Sequence, residues 1–281
     1  MIPKHVFTLQ HSLRGSFVLG SLITSSILIL GVGAPAFTNI DPQTVQVSNR
    51  FASPTFEHPF GTDNLGRDIW SRVLYGTRLT LEISISSVVL ASVFGVSVGA
   101  LTSYYGGWID NVTMRVVDAL LAFPTIIIAL LLRLILGAGL GSMILTLGIV
   151  YTVVITRTVR GAVLSEREKT YILATYAIGS NTFRIVFKHI LPNIIPPILV
   201  LATTLFADAI IVESSLSFIG IGVSTLEPSW GTMLRDSMEF MQEYPHVAIF
   251  PGLTISLTVL GINLVGDGLQ DMLAPQQIGE L

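Results

Sequence analysis

The chain contains no cysteine, which removes disulfides, thiolate nucleophiles and cysteine-based metal sites from consideration. Charge is scarce as well: 12% of the 281 residues are Asp, Glu, Lys or Arg, about half the share of a soluble domain. The net charge of -3 is small and no run of basic residues occurs, so nucleic acid is not an expected partner. The G-x-x-x-x-G-K-[ST] phosphate loop is missing, so the chain is not itself an ATPase of that kind. Neither Gly-x-Ser-x-Gly nor His-Glu-x-x-His occurs, and the five histidines include no i, i+4 pair for a metal. What the chain has in quantity is apolar side chains, 51% of the total, with a mean hydropathy of +0.73.

Those residues gather into runs long enough to cross a bilayer, for which about 20 mostly apolar residues are needed. Six runs qualify: 16–37, 79–104, 116–136, 140–155, 194–218 and 247–265. They predict an all-α membrane protein with six transmembrane helices. No run resembles another closely enough to argue the inverted repeat of many secondary transporters. The first run has a second reading. Lys4 and Arg14 precede it and Ala34-Pro35-Ala36 closes it, the outline of a signal peptide with its cleavage site. Cleavage would leave five spans and an external N-terminus; the run is long for a signal sequence, and retention is expected.

Orientation follows from Lys and Arg placement. With the N-terminus cytoplasmic, nine lie inside (Lys4, Arg14, Arg115, Arg157, Arg160, Arg167, Lys169, Arg184, Lys188) and six outside. The connection between the fourth and fifth runs decides it, because six of the nine fall from Arg157 to Lys188. The segment 224–246 opposite carries Glu227, Asp236, Glu239 and Glu243 against Arg235. Both termini are therefore expected in the cytoplasm.

The basic connection reads as two short helices. Ser165-Glu-Arg-Glu168 has the form of a capping box, opening a helix that runs through Ile178 to a left-handed Gly179. Asn181 can cap a second helix, with Phe183, Val186, Phe187, Ile190 and Leu191 as an apolar stripe and Pro192 as its end. The first helix is apolar around most of its last two turns. Periodicity leaves two ways to cover it, the bilayer surface or a groove on another protein.

The same stretch, YILATYAIGSNTFRIVFKHILPN, resembles the EAA loop of the membrane subunits of ATP-binding-cassette importers. Ala174, Gly179 and the His189-Ile190-Leu191-Pro192-Asn193 element match, whereas the family's Glu falls on Leu173 and its second Ala on Thr175. His58-Pro-Phe-Gly-Thr-Asp63, Gly66-Arg67-Asp68, Gly106-Gly107-Trp108-Ile109-Asp110, the Glu213–Gly222 stretch, Ser229-Trp230-Gly231 and Asn263-Leu-Val-Gly-Asp267-Gly268 resemble the branch importing peptides, nickel chelates or glutathione. Gln270 and Ala274 depart from that branch. The resemblance implies a type I importer fold in the plasma (inner) membrane of a prokaryote. Its domains would be a tail, first span and external segment (1–75), a transmembrane domain (76–272, with the EAA-like loop at 160–193) and a cytoplasmic tail (273–281). It also implies the partners: a homologous second permease subunit, two ATPase subunits, an extracytoplasmic solute-binding protein and membrane lipid. The chain would bind no cofactor, ATP and Mg being used by the ATPases. The coupling helix would present Tyr171, Leu173, Ala174, Thr175, Ala177, Ile178 and Gly179 to an ATPase, with Ile190 and Pro192 as the distal element.

The remaining features are read from chemistry. Residues 62–68 form an Asx turn leading into a short helix over 68–74. Pro124 should kink the third span by removing a backbone hydrogen bond. Gly95, Gly99, Gly220 and Gly222 allow close helix approach. Asp208 and Glu213 lie inside the fifth span, where acidic residues face a bundle interior or a water-filled path. They are candidates for the translocation path, with a structural hydrogen bond as the competing role for Asp208. A membrane hydrolase using them as a pair is disfavoured because residues five apart do not share a helix face. A stand-alone channel or secondary transporter would need no docking helix.

Overall fold

A computed structural model describes residues 4–223 and 227–273. The cytoplasmic tail expected from 273, with Ala274, lies outside the described residues beyond Leu273. Regular structure among the described residues is helical apart from one isolated antiparallel bridge, Thr62 to Asp68. The helices are α1 (Lys4–Val32), α2 (Ala34–Phe37), α3 (Ile69–Tyr105), α4 (Gly107–Leu121), α5 (Thr125–Leu136) and α6 (Leu140–Arg167). They continue with α7 (Thr170–Ala177), α8 (Thr182–Arg184), α9 (Leu191–Ile219), α10 (Trp230–Ser237) and α11 (His246–Leu273). A π-helical turn, Ile185–Ile190, joins α8 to α9 into one continuous rod. Five of these rods are long and apolar enough to span, and the bent α4–α5 pair makes a sixth crossing if taken as one.

The third crossing differs most from expectation. Pro124 does not kink one helix; it separates two, inclined at 97°. Proline lacks an N–H and drives the preceding residue out of helical geometry, so α4 stops at Leu121 and α5 restarts at Thr125. Arg160 of α6 holds Asp110 of α4 through two bonds of 2.8 Å, and Arg157 reaches Asp118 at 3.6 Å. The twelve residues of α5 reach only about 18 Å, too short to span alone.

Two helices begin or run past where the sequence suggested. The short helix expected over 68–74 is the start of the 37-residue α3, capped by Asp68, whose carboxylate accepts from the Ser71 amide at 2.7 Å. The Asx turn before it is present: Asp63 Oδ1 accepts from the Leu65 and Arg67 amides, both at 2.9 Å. Pro192 does not end a helix. It sits in the first turn of α9, where a missing N–H costs little, and the π turn before it absorbs the change in hydrogen-bond register. That turn also rotates the stripe: Ile185, Val186 and Ile190 are buried, while Phe183 and Phe187 are exposed and stack on each other.

The core is built from α3, α6 and α9. Gly95 and Gly99 lie directly against α6, where an added Cβ would come within 2.7 Å of Ile155 and 2.9 Å of Val159. Any side chain there would force the two longest-packed rods apart, as the small-residue reading expected. Gly220 and Gly222 serve otherwise. Gly220 is the left-handed cap of α9 at φ 96°, and Gly222 is pressed against Ser217 of the same turn. α11 packs between α1 and α9 on the flank of the core.

Candidate coupling surface and translocation path

At one end of the bundle, α6, α7 and the α8–α9 rod meet. The capping box expected at 165–168 is not there, because α6 continues through those residues to Arg167 and α7 opens after Lys169 with no side-chain cap. The physical reason is periodicity: Val159, Val163 and Glu166 keep to the buried face of α6 for two further turns. The far end of α7 behaves as the sequence indicated. Gly179 is left-handed at φ 79°, its amide reaches Tyr176 O at 2.9 Å, and the Ser180 amide reaches Thr175 O at 3.3 Å. These are the paired bonds of a Schellman motif. Asn181 caps the next turn by accepting from the Arg184 amide at 2.8 Å.

Most of α7 is bare. Ile172 alone of its eight residues is buried. Leu173 is 56% exposed and Ile178, just beyond it, 81%, with Ala174, Tyr176 and Ala177 exposed between them and Thr175 partly covered. Of the distal element, Ile190 is fully buried in the core and Pro192 is exposed.

The base of α7 is tied down by polar contacts that sequence reading missed. Tyr171 Oη donates to Glu166 Oε1 in a very short bond, and Asn193 Nδ2 donates to Tyr171 Oη at 2.7 Å. Lys169 Nζ lies 2.6 Å from the other Glu166 oxygen, and Asn193 also donates to His189 O at 2.8 Å. Partial burial and the bond to Glu166 push the Tyr171 phenol above its usual range, so it remains a donor at neutral pH. Glu166 was legible as position seven of the Val159–Val163 face, but the capping-box pattern pointed its carboxylate elsewhere.

Asp208 and Glu213 are not brought together. Asp208 is half-buried on α9 and accepts from Tyr151 Oη of α6 at 2.9 Å. Glu213 is fully buried, receiving Ser217 Oγ at 2.7 Å, Thr80 Oγ1 of α3 at 3.3 Å and Ser214 Oγ at 3.4 Å. Two carboxylates with separate partners do not form a catalytic pair.

At the end of the bundle opposite α7, two large side chains are held inside by hydrogen bonds. Arg133 is buried and donates to the carbonyl oxygens of Gly222 and Gly137 at 2.6 Å, of Ile221 at 3.2 Å and of Gly139 at 3.4 Å, as well as to Ser142. Trp230 is fully buried and its indole donates to Val73 O at 3.1 Å.

Residues 91–278 match the family described as binding-protein-dependent transport system inner membrane component. This chain belongs to that family. It is therefore the non-catalytic permease component of an ATP-binding-cassette importer, an inner-membrane protein. A dipeptide transport permease of Alkalihalophilus pseudofirmus, DppC, is 42% identical over 92% of this chain and 85% of its own length. The oligopeptide permease OppC of Bacillus subtilis is 38% identical over the same shares. A glutathione permease of Pectobacterium atrosepticum, GsiD, is 42% identical over 79% of this chain and 74% of its own.

Proposed function

We propose that this permease pairs with a homologous subunit to form a path for di- and oligopeptides, and that α7 is the helix seated on a partner ATPase. The observation that carries the reading is the bare apolar face of α7, Leu173 to Ile178, at the end of the bundle that holds six basic residues between Arg157 and Lys188. An exposed patch of that kind on so short a helix marks a protein contact. In this reading both termini are cytoplasmic, a solute-binding protein delivers substrate at the opposite face, and ATP and Mg are held by the ATPases. Residues 76–272 form the transmembrane domain. Asp208, only half-buried, is the acidic residue able to meet a peptide amino group from the path; Glu213, enclosed by hydroxyls, meets one only after a rearrangement. The similarity to a glutathione permease favours that tripeptide as the second substrate reading.

Purification with the neighbouring gene products tests the substrate: alanyl-alanine or longer peptides should stimulate ATP hydrolysis more than glutathione or a nickel chelate does, and the reverse order rejects the peptide reading. Ala174→Asp buries a carboxylate in the docked face and should abolish ATPase co-purification while leaving membrane insertion intact. Normal assembly and transport in that variant would remove α7 from the role. Cysteines at Asn49, Glu168 and Glu239 test orientation in this cysteine-free chain, with an impermeant reagent expected to label 49 and 239 in whole cells but not 168. Asp208→Asn should slow transport at unchanged abundance; full transport rules out a required charge.

A further inference from the structure

We propose that Tyr171 is a positioning residue that clamps α7 to α6 and α9 at once, so that a push received by α7 reaches both spans together. The inference rests on the reading that α7 is the coupling helix. An eight-residue helix is about 12 Å long and has no stability of its own. One buried side chain, Ile172, gives it an apolar anchor but not a fixed orientation. Orientation comes from the phenol: its oxygen donates to Glu166 in the last turn of α6 and accepts from Asn193 in the first turn of α9. Lys169 holds the second oxygen of Glu166, and Asn193 also grips the carbonyl of His189 inside the π turn. Glu166 is 6% exposed, whereas Tyr171 is 41% exposed, so the carboxylate is the sheltered partner of the bond. α7 has no acidic residue of its own, Leu173 standing where the family's Glu falls, so the carboxylate engaging it comes from α6.

Two further contacts extend the clamp to the inner end of α3. Arg167 Nη1 donates to Ser103 O at 3.1 Å, and the Tyr176 ring lies parallel to that of Tyr104 with centroids 6.2 Å apart. The rod α3 therefore receives the same displacement through α6 and through the tyrosine pair.

The test uses the whole transporter in proteoliposomes with its solute-binding protein. The first readout is alanyl-alanine moved per ATP hydrolysed, and the second is the distance between nitroxides at Ser180 and Thr158, and at Ser180 and Lys188. In the unsubstituted complex both distances should hold constant between the nucleotide-free and vanadate-trapped states. Tyr171→Phe, which keeps the ring, should reduce transport per ATP about tenfold or more, the lower end of the factor expected from losing a hydrogen bond to a charged group, and should broaden both distances. Glu166→Gln keeps an acceptor but loses the charge and the hold on Lys169, so its ratio should fall between those of the unsubstituted and Tyr171→Phe complexes, whereas Glu166→Ala should match Tyr171→Phe. An unchanged ratio in Tyr171→Phe, or distances that already change in the unsubstituted complex, overturns the clamp. Loss of assembled complex with a normal ratio in what remains also overturns it, since a merely structural contact behaves that way. The distances need no transported solute, so failure of alanyl-alanine as substrate leaves that arm decisive. Failure of α7 as the docking helix is read separately, from Ala174→Asp retaining its ATPase.

Discussion

The two ends of this bundle are built on opposite principles. Trp230 and Arg133 are themselves enclosed, and the guanidinium is met by backbone carbonyls from two loops. Around α7 the large side chains point outward, and polar bonds hold only its base. A helix end that satisfies itself is a finished structure. One that leaves Leu173, Tyr176 and Ile178 uncovered is, in the function proposed above, half of an interface. The contrast implies that substitutions at the closed end act on the fold, and those at the open end act on assembly.

The largest effect on the fold is expected for Trp230→Ala, which leaves a large cavity where the fully buried indole stood, about 3–5 kcal/mol. Thermal unfolding of the purified chain should register it directly. Arg133→Leu removes the donors to the Ile221 and Gly222 carbonyls, roughly 2–4 kcal/mol, with loss of protein from the membrane as the simplest measure. Gly95→Leu drives a side chain into Ile155 where α3 touches α6, about 1–3 kcal/mol. The smallest effect belongs to Ile178→Ser at the open end, within about 0.5 kcal/mol, yet ATPase retention on an affinity column should fall. If Ile178→Ser lowered the melting temperature as much as Gly95→Leu, the two ends would not differ in the way described.

Features set by local chemistry were legible in the sequence. Hydropathy found each rod that spans, because bilayer thickness imposes a length that any sequence must meet. The left-handed Gly179 and the Asn181 cap were readable because both depend on chemistry within four residues. The capping box at 165–168 failed on the same kind of local pattern. Ser165 and Glu168 fit it, but burial of Val163 and Glu166 against the bundle extended α6 through the site.

Sequence by itself determined the membrane class, the five rods long enough to span, the basic end that carries α7 and the motifs shared with importer permeases, all of which are set by local composition or by spacing along one helix. Tertiary structure alone decided the 97° size of the bend that Pro124 introduces, the separate partners of Asp208 and Glu213 and the meeting of Glu166, Tyr171 and Asn193. Tyr171 and Asn193 lie 22 residues apart, and no periodicity along a chain encodes a bond made only when three separate helices converge.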